Sequence, residues 1–241
     1  MRLPRPGRPP YDLHTMKPQA HRALRPLLLA LLAGPTLAAQ LQVTVLGLDG
    51  KPAPDVVVQA VPAAAWSPQP QPTAVEIVQQ NIRFVPFVTV VPVGTTVRFV
   101  NRDRFDHHVR SQPGGPLGNV APAQQFEFRM AAVKSNGVAA SAEVKLDTAG
   151  IIALGCHLHG SMRGHVLISN TPWAGVSDER GQVTLVNVPD GQLELKLWHP
   201  DQITDQPTTR LQASGNQAPE LKLNLSPRRR PPPPPSSSYA N

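Results

Sequence analysis

Three residues with metal-binding side chains stand three positions apart in one short segment: Cys156, His159 and Met162. Cys156 is the only cysteine of the chain. A thiolate, an imidazole and a thioether are soft ligands that suit copper, and two His with one Cys plus a weak axial Met form a blue-copper electron-transfer site. This segment supplies one of the two histidines, so the second must come from elsewhere.

An upstream histidine pair, His107 and His108, offers the missing ligand. It follows residues 88–99, where two apolar alternating runs come before and after Gly94. This pattern predicts a strand, a turn and a second strand. The pair then lies just past the second strand, where a loop can direct an imidazole inward. The residues alone leave open which of the two binds.

These two separated segments resemble the cupredoxins, above all the plastocyanin and amicyanin group. Proteins of that group carry an aromatic-x-Asn motif at a strand end, a His ligand six residues after the Asn, and a Val two residues later. The resemblance covers about residues 75–169. The matching residues are Phe99, Asn101, His107, Val109, Met162 and Gly164.

The resemblance implies one type 1 copper ion per chain. The count from Asn101 favours His107 over His108, although the family usually has Asn where His108 stands here. The resemblance also implies that Asn101 ties the two ligand loops together. Two further histidines, His157 and His165, have no role in the pattern and are predicted to be exposed or supporting residues. The implied copper ligands are His107, Cys156, His159 and Met162.

Strands are predicted throughout the body of the chain. Few stretches show a 3.6-residue apolar period, and the 29 prolines disfavour helices. Residues 40–66 and 170–226 resemble, through their turn motifs, the transthyretin-like sandwiches of carboxypeptidase regulatory domains. The predicted fold is therefore all-β, with a Greek-key cupredoxin sandwich over residues 74–169 and a second small β-sandwich formed by the flanking segments.

The two ends of the chain are predicted to lie outside the folded body. Residues 1–39 have the basic, apolar and small-residue regions of a secretory signal, with Met16 as an alternative start. The apolar run is too short to span a bilayer, so no transmembrane segment is expected after signal removal. Residues 227–241 are rich in Pro, Arg and Ser and are predicted to be a disordered tail. A periplasmic or secreted location follows.

The distribution of charge disfavours nucleic acid as a partner. The whole chain carries a formal net charge of +7, but residues 40–227 contain 14 Lys and Arg against 15 Asp and Glu. The excess positive charge lies in the leader and the tail, so the body offers no basic face.

The function that the resemblance implies is one-electron transfer without catalysis. Redox partner proteins would dock transiently near His159, which the resemblance makes the more exposed ligand. The alternative is a copper-binding or copper-delivery protein with no electron-transfer role. An enzyme would need an open coordination position or a second metal ion.

Overall fold

A computed structural model describes residues 7, 39–66, 74–228 and 230. The predicted secretory signal and the predicted tail fall almost entirely outside these residues, so both stay predictions. None of the described residues forms a helix long and apolar enough to cross a membrane.

The described residues form sixteen strands and no helix. The strands are β1 (Ala39–Leu46), β2 (Val57–Pro62), β3 (Ala74–Gln79), β4 (Phe84–Val85), β5 (Val88–Pro92), β6 (Thr95–Asn101), β7 (His107–Gln112), β8 (Glu127–Met130), β9 (Ala140–Leu146), β10 (Gly150–Cys156), β11 (Arg163–Ser169), β12 (Ala174–Val176), β13 (Gln182–Val188), β14 (Gly191–Trp198), β15 (Thr209–Ala213) and β16 (Glu220–Lys222).

Strands β3 to β11 make one sandwich of two sheets. A four-stranded sheet has the order β4-β3-β6-β9, and a five-stranded sheet has the order β5-β11-β10-β7-β8. The chain passes from one sheet to the other repeatedly, so that β3 and β6 pair in parallel, as do β5 and β11. These crossings, with antiparallel neighbours elsewhere, make a Greek-key arrangement.

The core of this sandwich lies between its two sheets. In β6 the side chains of Thr95, Val97 and Phe99 alternate toward the interior, as the period of two along a strand requires. The Phe99 ring has its centroid 5.7 Å from that of Phe126 and 5.4 Å from that of Phe128. The sole cysteine belongs to this same buried cluster, which therefore joins the core to the candidate ligands.

The flanking segments build the second sandwich. Its sheets have the orders β13-β1-β16 and β12-β2-β14-β15, so strands from before and after residues 74–169 pair with each other. In β1 the residues Leu41, Val43 and Val45 are fully buried and alternate with less buried neighbours. The predicted all-β fold with two sandwiches is confirmed. The exact domain boundaries and the transthyretin-like resemblance stay predictions.

A small apolar cluster joins the two sandwiches. Val88 of β5 and Leu167 of β11 pack with Val57 of β2 and Trp198 of β14. Strand β11 is consequently buried on both faces, and its four consecutive residues 166–169 are all buried. This contact fixes the β5–β11 edge of the five-stranded sheet. The next strand, β10, carries the cysteine.

Candidate metal centre

Two adjacent strands and one short loop position the predicted ligands. His107 is the first residue of β7, and Cys156 is the last residue of β10. The two strands pair antiparallel with Cys156 opposite Val109, which brings the His107 side chain beside the sulfur. The sequence places His107 in a loop, but it begins a strand because its backbone pairs with β8. Residues 157–162 then connect β10 to β11.

Three of the four predicted ligands meet at one point. The Nδ1 atom of His107 lies 3.7 Å from the Sγ atom of Cys156, and the Nδ1 atom of His159 lies 3.6 Å from it. A metal ion about 2.0–2.1 Å from nitrogen and about 2.3 Å from sulfur, with angles near 120°, separates such atoms by roughly 3.8 Å. The donor set and its spacing therefore fit a trigonal metal ion. We call His107, Cys156 and His159 the inner cluster.

The inner cluster is shielded from water to different degrees. His107 is 0% exposed and Cys156 is 6% exposed, whereas His159 is partly exposed. Met162 is also buried and belongs to the same core cluster as Cys156. Its backbone N–H donates to the carbonyl of His159 at 2.9 Å, which closes the loop. The structure thus brings His107, Cys156 and His159 together and buries Met162 in the same core cluster as Cys156.

Comparisons with known proteins give partial structural overlaps. No family model matches the chain, and no curated protein does. A copper-containing nitrite reductase from Thermus scotoductus SA-01 shares 22% identity over 46% of this chain and 26% of its own, with a TM-score of 0.35. A reduced amicyanin variant shares 24% identity over 42% of this chain and 87% of its own, with a TM-score of 0.30. A purple cupredoxin from Nitrosopumilus maritimus shares 22% identity over 41% of this chain and 100% of its own, with a TM-score of 0.32.

The sandwich of strands β3 to β11 is defined by its topology and by the inner cluster. Its Greek-key sheets pair β3 with β6 and β5 with β11 in parallel, and a buried Cys and two His meet at one end. Strands β3 to β11 form the Greek-key sandwich that the sequence predicted. In this sandwich β10 and the loop after it carry Cys156, His159 and Met162, and β7 carries His107.

A buried carboxylate that the sequence analysis missed orients His107. The Oδ2 atom of Asp103 lies 2.8 Å from the Nε2 atom of His107. When Nε2–H donates to Asp103, the lone pair of Nδ1 is free and faces the Cys156 sulfur. Asp103 itself accepts hydrogen bonds from the backbone N–H groups of Asn81 (2.7 Å) and Ile82 (3.1 Å). It therefore fixes both the tautomer and the orientation of the imidazole.

The pKa of Asp103 is consistent with this role. Burial alone would raise the pKa of its carboxyl group, but the hydrogen bonds from His107, Asn81 and Ile82 outweigh burial and hold the pKa below its ordinary value. The group is accordingly a carboxylate at neutral pH, and its negative charge lies one imidazole away from the Cys156 sulfur.

Asn101 supports the loop before His107. Its side-chain amide donates to the carbonyls of Phe105 and Ala131, both at 2.9 Å, and its Oδ1 atom accepts from the N–H of Asp103 at 2.9 Å. The sequence analysis expected Asn101 to join the two ligand loops. These hydrogen bonds instead hold the Asp103–His107 segment against the residues that follow β8.

The surroundings of His159 favour its metal-binding form, and one backbone hydrogen bond reaches the sulfur. The backbone N–H of His108 donates to the Sγ atom of Cys156 at 3.4 Å. Burial first, and then the charge of His107, lower the pKa of His159, while Asp103 acts in the opposite direction. A neutral imidazole is the form that binds metal ions. The ring of Phe105 contacts both His107 and His159.

Three other histidines of the two ligand segments, His108, His157 and His165, lie outside the inner cluster. His108 and His157 meet at the surface, with ring centroids 4.8 Å apart. His165 packs against Phe87 and Trp198, where the two sandwiches touch. Burial there lowers the pKa of His165 to about 4, with a smaller effect from the charge of His199. His165 is therefore neutral near pH 7 and serves the packing between the sandwiches.

Proposed function

We propose that this chain is an exported type 1 copper protein that carries single electrons between redox partners. One observation carries the proposal: the Nδ1 atoms of His107 and His159 both point at the sulfur of the sole cysteine, at 3.7 and 3.6 Å. A buried thiolate with two imidazoles is the in-plane set that selects copper in electron-transfer sites, and Met162 is the proposed weak axial ligand.

Copper held by these residues would supply one-electron chemistry through its Cu(I) and Cu(II) states. The chain holds its donors nearly fixed, because His107 is bonded to Asp103 and Cys156 ends a paired strand. Ligands that do not move between two oxidation states keep the reorganisation that accompanies electron transfer small. The buried positions of His107 and Cys156 also exclude water from the donor set.

His159 is the proposed exit for the electron. It is the partly exposed member of the inner cluster, and its neighbour Leu158 is 53% exposed. An apolar side chain beside an exposed ligand suits brief docking, since an interface core is depleted of charge. We therefore place the contact with redox partners around Leu158 and His159.

The burial of the donors favours a carrier over a copper-delivery protein. Delivery requires the acceptor's ligands to reach the metal and replace those of the donor protein. Here His107 is fully buried and Cys156 nearly so, which leaves His159 alone for such an exchange. The same closed donor set disfavours an enzyme acting at this centre, because a substrate needs an open coordination position.

Metal binding explains why an exported chain keeps a lone cysteine. A single thiol cannot form an intramolecular disulfide, and in an oxidising compartment it is protected by burial or by a metal ion. The described structure gives Cys156 both a buried position and two imidazole neighbours. The basic and apolar leader of the sequence is the proposed export signal.

Reversible redox cycling tests the proposal. The inner cluster of the full chain should bind one Cu²⁺ and show a strong charge-transfer band that disappears on reduction with ascorbate and returns on oxidation. Copper that stays bound to the protein through several cycles, in the presence of a Cu(I) chelator, supports the carrier. Loss of copper to the chelator at the first reduction would instead indicate delivery.

A further inference from the structure

A second group of metal-binding side chains lies one residue away from the inner cluster. His108, Glu127 and His157 each offer a ligand atom, and these atoms all lie within 4.8 Å of one another. We call these three residues the outer cluster. The copper site described above uses none of their side chains.

The contacts within the outer cluster are short. The Nδ1 atoms of His108 and His157 lie 3.1 Å apart. The Oε1 atom of Glu127 lies 2.8 Å from the Nε2 atom of His108 and 3.6 Å from the Nδ1 atom of His157. Two ligands about 2.1 Å from one ion at a tetrahedral angle lie roughly 3.4 Å apart. The separations of His157 from its two partners are therefore of the size that a bound ion imposes.

The backbone explains why these side chains converge. His107 and His108 are successive residues of β7, so their side chains leave opposite faces of the sheet. Glu127 is carried by β8, where it pairs with Arg110 of β7. The N–H of His157 donates to the carbonyl of His108 at 3.3 Å, which holds the residue after β10 to the start of β7. Three paired strands thus fix the outer cluster.

Packing does not account for the arrangement. The side chains of His108, Glu127 and His157 are 27%, 53% and 43% exposed, so no apolar burial drives them together. Exposed pairs of charged or polar groups contribute little to stability, typically about 0–1 kcal/mol. A cation that both rings and the carboxylate bind gives all three groups a favourable partner.

We propose that His108, Glu127 and His157 bind a divalent transition-metal ion, Cu²⁺ or Zn²⁺, at a second site on the surface of the sandwich of strands β3 to β11. Imidazole suits both ions, and a carboxylate with two imidazoles is a common three-ligand set. Three protein ligands at an exposed position leave room for water or for another molecule's ligand. The site goes beyond the proposed function and stands without it.

Occupation of the second site has a consequence that does rest on the proposed function. His108 follows His107 and His157 follows Cys156 in the chain, so an ion in the outer cluster lies close to copper in the inner cluster. Its positive charge favours the less positive Cu(I) state. Zn²⁺ should therefore make the inner copper easier to reduce.

Electron paramagnetic resonance of the full chain during Cu²⁺ titration tests the second site. Cu²⁺ bound by the Cys156 thiolate gives a narrow hyperfine splitting, whereas Cu²⁺ bound by imidazole and carboxylate gives a wide one. The parent should show the narrow signal at one equivalent and add one wide signal with the second. Zn²⁺ should remove the wide signal and leave the narrow one.

Substitutions assign the wide signal. Glu127→Gln and His157→Gln should each weaken binding of the second Cu²⁺ by tenfold or more, with the narrow signal kept as the internal control. Glu143→Gln removes an exposed carboxylate from β9, outside the cluster, and should change nothing. A parent without the wide signal, or a wide signal that both outer-cluster variants retain at full affinity, overturns the inference. A chain that shows only the wide signal keeps the second site and overturns the proposed function instead.

Discussion

His107 and His108 are neighbours in the sequence, yet the fold gives them opposite environments. The side chain of His107 is fully buried in the inner cluster, beside Asp103 and the Cys156 sulfur. The side chain of His108 is partly exposed in the outer cluster, beside Glu127 and His157. Cys156 and His157 repeat the same division at the end of β10.

The period of two along a strand produces this difference. Each strand end contributes one residue to the core and the next to the surface, so a single pair of strands can support two donor sets with different chemistry. The inner set has a cysteine sulfur, little water and a buried carboxylate behind one imidazole. The outer set has a carboxylate among its own members and is partly exposed to solvent. The comparison predicts that substitutions of adjacent residues have very different effects.

The largest expected difference is in copper binding. His107→Ala should abolish the type 1 spectrum, because it removes one of the three proposed in-plane ligands. His108→Ala should perturb that spectrum modestly, since only its backbone N–H contacts the sulfur and the substitution keeps it. Absorption and paramagnetic resonance of both copper-loaded variants measure this. The reverse outcome would show that the upstream ligand is His108 and that the inner cluster is assigned to the wrong residue.

A second difference is expected in the stability of the metal-free chain. His107→Ala leaves the carboxylate of Asp103 buried without the imidazole N–H that donates to it, and a hydrogen bond to a buried charged group contributes about 1.5–3 kcal/mol. His108→Ala acts at a partly exposed pair and should cost about 1 kcal/mol or less. Urea unfolding of both variants without copper gives the two free energies. Equal losses would contradict the contrast in environment.

Asp103 should tune the inner site without holding it. Asp103→Asn keeps an oxygen that can accept the proton of His107 Nε2 but removes a negative charge, so Cu(I) gains stability relative to Cu(II). We expect copper to stay bound and the reduction potential to rise by tens of millivolts, on the order of 1 kcal/mol. Voltammetry measures the change.

Asp106→Asn provides the matched control for Asp103→Asn. Asp106 lies on the same loop but is bonded to Arg129 and to the N–H of Ala132 rather than to a ligand. Its substitution should shift the potential much less. Equal shifts in the two variants would mean that loop charge alone matters and that the Asp103–His107 contact has no special effect.

The smallest effect on binding is expected at Met162. A thioether is a weak, long axial ligand, so its removal should leave copper bound by the three stronger donors. Met162→Leu should raise the potential, and Met162→Gln should lower it because a harder oxygen donor favours Cu(II). Voltammetry with metal content determined alongside checks both directions. A Met162→Leu protein that purifies without copper, under conditions that load the parent, would contradict the proposed ligand set.

The spacing of residues predicted which donors meet, since the Cys156–His159 pair lies in one short loop. The choice of His107 over His108 came from the family resemblance and not from geometry. The role of Asp103 could not be predicted, because nothing in the sequence distinguishes this buried acidic residue from the solvated ones around it. Its burial depends on backbone N–H groups of Asn81 and Ile82, which reach it only in the folded sheet.

The outer cluster shows the same limit more strongly. His108 and Glu127 are nineteen positions apart in the sequence and meet because β7 pairs with β8. The sequence analysis therefore predicted His157 as an exposed extra residue and saw no role for Glu127. The fold class was easier to predict, since alternation in strands such as β1 is visible in the sequence and depends only on which face is buried.

The visible spectrum of the Cu²⁺-loaded chain, measured for the parent and for Cys156→Ser, tests the central claim most directly. The claim is that copper is bound by the Cys156 thiolate within the inner cluster. The parent should show a strong band near about 600 nm from thiolate-to-copper charge transfer, and Cys156→Ser should lose it even where copper still binds. A parent without the band, or a Cys156→Ser protein that remains blue, would contradict the account.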